Sequence, residues 1–284
     1  MKATDDVSIQ SNLAMKKKTS GKYIIRQSTL TSRLITILFL FFIGITVWFI
    51  FWGIDYKWET FKFETVVKFF SQFFNITAVN GESFMTLLTY LLNTILLGVM
   101  ATLIGAVISF PLGLLAASNI TNKTVSRIIN GFSSILRAVP TIVWVLIFVA
   151  GYGLSAATAV VGMTFHTVAF FTKSYSESFE EVDEGTIEAL RSSGANKMQI
   201  IFCAMIPQAT TKIISWIAIR SEINFAVAVV IGPAVGVPNT IGSALNAYKS
   251  HGMYPELGAG VLMIFLVALI TEFVITRIKQ KSLV

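Results

Sequence analysis

Six apolar runs, at residues 34–54, 84–117, 128–150, 156–172, 208–231 and 257–276, leave this chain few folds to adopt. About 20 apolar residues in helical form cross a bilayer. Each run is of that order, and in lipid the backbone donors and acceptors must be satisfied within the segment itself. The expected fold class is therefore all-α, a polytopic membrane protein with about six transmembrane helices. Composition agrees: 54% of the residues are hydrophobic and only 13% charged, where a soluble domain carries about 25% charged residues. The run 84–117 holds Pro111 and several glycines but no hydrophilic break, so one tilted or kinked helix is expected there. The run 128–150 reads as a single span containing Arg137 and Pro140.

The connections carry the topology. The first run is too long for a signal-peptide core and lacks a clear small-residue cleavage site, so it reads as a retained helix, 34–54. Residues 1–33 form a basic tail with Lys16, Lys17, Lys18, Lys22, Arg26 and Arg33; Arg277, Lys279 and Lys281 follow the last run, in and before a short tail at 279–284. An excess of Lys and Arg marks the cytoplasmic side, and six crossings place both termini there. The formal charge of +7 thus reads as membrane anchoring, and nucleic acid is not an expected partner. Residues 55–83, with Trp58, Phe61 and Phe63, look like an external amphipathic connection lying in the interface. A polar loop is expected at 118–127 and a tight external turn at 151–155. The Gly- and Pro-rich segment 232–256 reads as partly re-entrant, which requires burial in protein or a wet cavity. Cys203 stands alone, so no intrachain disulfide forms, and His166 and His251 with one cysteine make no metal cluster of recognised spacing.

A polar loop, 174–207, separates the fourth and fifth runs. Its second part, EGTIEALRSSGANKMQIIFCAMIP at 184–207, is helix-prone. Asp183 and Glu184 sit where the positive end of a helix dipole favours acids. Gly194 falls where a short helix needs a left-handed C-terminal residue, and Pro207 can open the next helix because its missing N–H costs nothing there. Two short helices meeting at a glycine corner are expected.

This stretch resembles the "EAA" coupling loop of permease subunits of bacterial ABC importers, whose pattern is Glu-Ala-Ala, three residues, Gly, nine residues, Ile, any residue, Leu, Pro. Glu188, Ala189, Gly194 and Pro207 match at the required spacing; Leu190, Ala204 and Ile206 depart from it but stay apolar. The resemblance implies a type I, MetI-like permease fold, a core at 84–278 with the coupling loop at 174–207, and an ATPase-docking role for Glu184, Glu188, Ala189, Gly194 and Pro207. An ordinary amphipathic connector is the bland alternative for this loop.

Charges also fall inside the runs. A charge at mid-bilayer costs at least about 2.5–3.5 kcal/mol on insertion scales, so it marks a path or a partner. Arg220 lies about 20 Å along a helix from Pro207 at 1.5 Å per residue. Arg220 and Asn224 share a helix face, whereas Glu222 points elsewhere. Arg220 and Asn224 are expected to face a translocation path and meet an anion, or else Arg137 and Glu222 form a structural ion pair; His166 is a further path candidate. Glu272, near a helix end, is expected to snorkel.

The RSEIN segment at 220–224 before a Gly-rich stretch, RAVPTIVWVLIFV at 137–149, and the His166–Thr167 pair resemble the phosphonate-type permeases of the same family. That resemblance covers about residues 85–278. A second Arg two residues after the Asn is common in those proteins, and Ala226 stands there instead. The implied function is the permease subunit of an ATP-driven importer for phosphonate or a related phosphorus oxyanion, in a bacterial inner membrane.

No G-x-x-x-x-G-K-[ST] sequence occurs, so no cofactor is expected in this chain, and ATP and Mg belong to a partner ATP-binding subunit. The other implied partners are an extracytoplasmic phosphonate-binding protein, a second permease copy (identical or a sister chain) and the lipid bilayer. The chain is expected not to be an enzyme: no nucleophile or metal constellation accompanies its histidines. A permease for another small solute, such as methionine, is the alternative within the class. An ATP-independent channel or secondary transporter is the alternative outside it, and no internal repeat favours it.

Overall fold

The computed structural model describes residues 14–17, 23–26, 29–54, 56 and 61–282. The chain divides into two compact units, residues 1–63 and 64–284. In the first, β1 (Ala14–Lys17) pairs antiparallel with β2 (Tyr23–Arg26) within what the sequence marks only as a basic tail. Helix α1 (Thr29–Trp48) follows and continues through a π-helical turn at Phe49–Gly53, close to the expected first span. Its run of Leu, Ile and Phe side chains stands exposed, as a lipid-facing helix requires. Trp58 lies outside the described residues, as do Lys18 and Lys22.

The described part of the second unit consists of helices joined by short connections. It comprises α2 (Phe63–Phe73), α3 (Gly81–Ala116), α4 (Lys123–Ala138), α5 (Thr141–Tyr152), α6 (Ala156–Glu180), α7 (Glu184–Ser192), α8 (Lys197–Ile200), a π-helical segment at Ile201–Met205, α9 (Ile206–Val235), α10 (Ile241–Ser250) and α11 (Tyr254–Ser282). Amphipathic α2 occupies the expected connection. Helix α3 is one helix, as expected: Asn80 caps it by accepting from the Ser83 amide at 2.7 Å, and Pro111 sits inside without breaking it.

Pro140 behaves differently. The expected third span is broken between α4 and α5, which bend by 84°. Proline has no N–H, and its ring clashes with the carbonyl four residues back, here Leu136; the Trp144 indole donates to that freed carbonyl at 3.1 Å. Lys123 and Arg127, expected in a loop, lie in α4. Helix α4 turns its polar face inward, where the Ser126 hydroxyl and Asn130 amide donate to Ala116 O at 2.6 and 3.0 Å, and leaves Ile128, Phe132 and Ile135 exposed.

Among the described residues four helical stretches are long and apolar enough to cross a membrane: Leu30–Gly53, Gly81–Ala116, Lys197–Val235 and Tyr254–Arg277. The bent α4–α5 pair makes a fifth if counted as one span. The count differs from six because α6, which contains the expected fourth span, is too polar to pass as one. Its threonines and serines are buried instead, because α6 is the central helix and packs against α3, α4, α5 and α9. The Gly- and Pro-rich segment 232–256 is largely helical and packs against α3, α9 and α11. Helix α9 runs on to Val235, and α10 is a separate helix capped by Thr240, with the Ile241 amide donating to Thr94 Oγ1 at 2.9 Å.

Small residues let these helices approach closely, as in membrane bundles generally. A Cβ added at Gly105 of α3 would stand 2.5 Å from Thr167 Cγ2 of α6. That glycine therefore sets the spacing at which the polar groups of α3 and α6 reach the same point.

Candidate functional site

Helices α3, α6 and α9 meet around a buried polar cluster. Asn224 is fully buried and donates to Thr102 Oγ1 at 2.9 Å and to Thr167 Oγ1 at 3.1 Å. Both hydroxyls donate to their own helices, Thr102 to Gly98 O at 2.7 Å and Thr167 to Met163 O at 2.8 Å, which leaves their lone pairs free to accept. One turn before Asn224, Arg220 is only 3% exposed. Its Nη2 lies 2.9 Å from His166 Nδ1 and 3.3 Å from Thr167 Oγ1, and its guanidinium carbon sits 5.1 Å from the centre of the Phe170 ring. Hydroxyl, imidazole and ring face satisfy the guanidinium, but none neutralises it. Among the described residues the ion pairs are Lys173–Glu177 and Lys212–Glu181, so no carboxylate pairs with Arg220.

The expected shared face of Arg220 and Asn224 is present. The alternative of a structural ion pair is corrected. Arg137 and Glu222 form no ion pair: Glu222 lines an apolar cavity of about 440 Å³ with Ile142, Ile223, Ala226, Val227 and Val230, on another side of α9. Arg137 lies within electrostatic range of His166, and its Nε is buried without a hydrogen-bond partner. Arg220 is buried within the cluster, and His166 is its partly exposed member. Thr102 is the residue that sequence reasoning missed. Its only signal is a hydroxyl inside an apolar run, one turn after Gly98.

The 183–207 stretch folds as the local signals direct. Asp183 caps α7, accepting from the Thr186 amide at 2.8 Å and hydroxyl at 3.0 Å. Those bonds hold its carboxyl below the usual carboxylate range. Glu184, Glu188 and Ala189 are exposed on α7, while Ile187 turns inward to a core with Phe171, Tyr175, Phe179, Ile200 and Met205. Gly194 has φ +87°, as the corner demands, and Ala195 N donates to Leu190 O at 3.0 Å. Asn196 and Gln199 form a reciprocal capping box that starts α8. Beside the corner lies a recess of about 300 Å³ lined by Leu190, Ser193, Gly194, Ala195, Gln199 and Cys203. Pro207 stands in the first turn of α9, as expected, but α9 is not set off from what precedes it. Lys197–Val235 is one helical stretch, and the π-helical turn immediately before Pro207 absorbs its missing donor. The end of α6 is tied to the α3–α4 connection by Ser118 N donating to Glu180 Oε1 at 2.7 Å, and to α9 by the Lys212–Glu181 pair.

Residues 109–282, well over half of the chain, match the family described as binding-protein-dependent transport system inner membrane component. The chain belongs to that family. Among its relatives, this permease is 32% identical over 185 residues to the phosphite transport system permease protein PtxC of Stutzerimonas stutzeri, covering 64% of this chain and 66% of the relative. It is 29% identical to the putative phosphite transport system permease protein HtxC of the same organism, covering 63% and 65%. The alignments therefore span a little under two thirds of the length of those relatives. The probable D-methionine transport system permease protein MetI of Pasteurella multocida is 26% identical, covering 63% of this chain and 87% of that one. In fold the permease resembles a chain of the inward-facing MetNI methionine ABC transporter, with a TM-score of 0.64 at 20% identity, covering 72% of this chain and 99% of that one. The all-α, MetI-like permease fold expected from the sequence is the one observed.

Proposed function

We propose that this chain is the membrane-spanning permease subunit of an ATP-driven importer for phosphonate or a related small phosphorus oxyanion. The observation that carries the reading is Arg220, a buried guanidinium with neutral partners and no carboxylate. A membrane-buried cation is expensive to maintain, and an anionic substrate supplies the missing charge. The phosphite-permease relatives support the same class of ligand. Methionine is the second reading, favoured by the MetI relative and the MetNI fold. Its ammonium group needs an acceptor, yet the charged groups acting on His166 are both arginines and Glu222 lies on another side of α9. The cluster suits an ion that is acceptor on all sides.

The corner at Glu184, Glu188, Ala189, Gly194 and Pro207 is the proposed handle for a separate ATP-binding subunit, which holds ATP and Mg. Its exposed outer face and buried inner face, continuous with α9, are those of a rigid lever: force on the corner reaches the helix that carries Arg220 and Asn224. A second permease copy, an extracytoplasmic binding protein and a bacterial inner-membrane location with both termini cytoplasmic complete the proposal, with alternating access biased by ATP.

Uptake of labelled methylphosphonate by cells with and without this chain, competed by phosphite, phosphate and methionine, tests it. Loss on deletion, with competition by phosphorus oxyanions alone, is the expected result. Competition by methionine alone would replace the ligand while keeping the importer.

A further inference from the structure

The polar centre has an inner and an outer member. Arg220 is almost wholly buried, and His166 is the one that reaches open space. A guanidinium can only donate. The 2.9 Å contact between Arg220 Nη2 and His166 Nδ1 therefore requires Nδ1 to accept, which makes the ring neutral and places its proton on Nε2. Nε2 has no hydrogen-bond partner among the described residues, and it is not a buried orphan atom. The chain's other histidine shows the opposite case. His251 Nδ1 lies 2.7 Å from Ala247 O, an acceptor, so there Nδ1 carries the proton.

The charged groups around His166 are cations, and its polar neighbours are neutral. Arg220 from α9 and Arg137 from α4 are the charged groups that act on it. Thr167 beside it is held by Asn224, and Asn224 by Thr102 of α3. The only ionisable side chain of α5, Tyr152, is exposed at its C-terminal end. An N–H aimed outward from a ring that accepts from a buried cation is a polarised donor. It is fixed in direction, and it matches an oxygen that can only accept.

We propose that His166, locked by Arg220 as the Nε2–H tautomer, is the side chain that contacts the oxyanion during passage, with Arg220 acting through it as a positioning residue. The inference rests on the oxyanion reading given above. It assigns substrate selection within the permease to a neutral, oriented donor beside a buried cation, which suits an acceptor oxygen and repels an ammonium.

Two measurements test it. The first is nitrogen NMR of ¹⁵N-histidine-labelled protein, which needs no substrate. His166 should show a protonated Nε2 and a bare Nδ1, His251 the reverse, and Arg220→Met should remove the bias at His166 alone. An Nδ1–H tautomer or an imidazolium at His166 would overturn the proposal. The second is phosphite uptake in cells carrying His166→Asn or His166→Gln, with recovery of the ATPase-bound complex as the check on folding. Asn places an acceptor where Nδ1 sits and keeps the anchor for Arg220, but has no donor at the Nε2 position; Gln restores a donor there. Loss of one hydrogen bond to a charged group corresponds to about tenfold or more, so His166→Asn should slow uptake by about that factor and His166→Gln by less. Wild-type uptake in His166→Asn would show that His166 only anchors Arg220 and would end its contact role. A correct tautomer with no phosphite, phosphate or phosphonate uptake by the wild type would instead remove the oxyanion reading, and the contact role with it.

Discussion

The polar centre around Arg220 and the glycine corner at 183–207 are assembled in opposite ways. At the centre, the hydrogen bonds join residues as far apart as Asn224 and Thr102, 122 positions distant. At the corner they join neighbours three to five apart: Asp183 with Thr186, Asn196 with Gln199, Leu190 with Ala195. The centre depends on the whole bundle being packed, whereas the corner is written in local sequence and needs the bundle as an anchor for its apolar face, Ile187 and Ile200. Substitutions at the centre should therefore lower transport and thermal stability together, and those at the corner should uncouple a bundle of unchanged stability.

The largest effect is expected at Arg220. Truncating one partner of a buried charged hydrogen bond costs about 2–5 kcal/mol, so Arg220→Met should reduce oxyanion uptake by about 30-fold or more, measured in cells. Arg220→Lys should recover only part, because an ammonium lacks the planar fork that spans His166 and Thr167. Asn224→Leu comes next. It leaves the lone pair of Thr102 without its donor, and Thr167 with Arg220 alone, at a cost of about 1–3 kcal/mol, and thermal unfolding of the purified protein should move to lower temperature. If that variant leaves stability untouched while weakening the corner, the division drawn here is wrong.

At the corner, Gly194→Val places a β-branched residue at φ +87°. Strain of about 1–3 kcal/mol should fall on the turn alone. Co-purification of the ATPase should drop by about tenfold, a factor equal to about 1.4 kcal/mol, with little change in the unfolding temperature. The smallest effect belongs to Asp183→Ala, read as faster hydrogen exchange in the first turn of α7. The Asp183 carboxyl titrates below its unfolded value, so the cap contributes at pH values above the ordinary carboxylate pKa. Its contribution is lost as pH falls through the lowered, folded value. The difference between wild type and variant should accordingly disappear in acid and persist at neutrality.

The same contrast explains what was legible in the sequence. Asp183, Gly194 and the 188–207 spacing announce the corner because capping and left-handed turns are matters of adjacent residues. The apolar runs announce most of the spans for a similar reason. Pro111 and Pro140 do not differ in any local way that foretells a continuous helix at one and an 84° break at the other. The polar inner face of α4, and a Trp144 indole available to the freed Leu136 carbonyl, make the bend tolerable, and both are tertiary facts. Arg220 and Asn224 could be placed on one face from their spacing alone. That His166 would hold the guanidinium, that Thr102 would complete the cluster, and that Glu222 would stand apart depend on how α3, α6 and α9 pack. Even the polarity of α6, which hides it as a span, follows from its central position.

The most direct test of the central claim is uptake of labelled methylphosphonate and of labelled methionine, side by side, in cells expressing either the wild-type chain or Arg220→Met with its ATPase. The account predicts that the wild type carries the phosphonate and not methionine, and that Arg220→Met loses phosphonate uptake while still assembling with the ATPase. Methionine uptake by the wild type, indifferent to Arg220→Met, would contradict it.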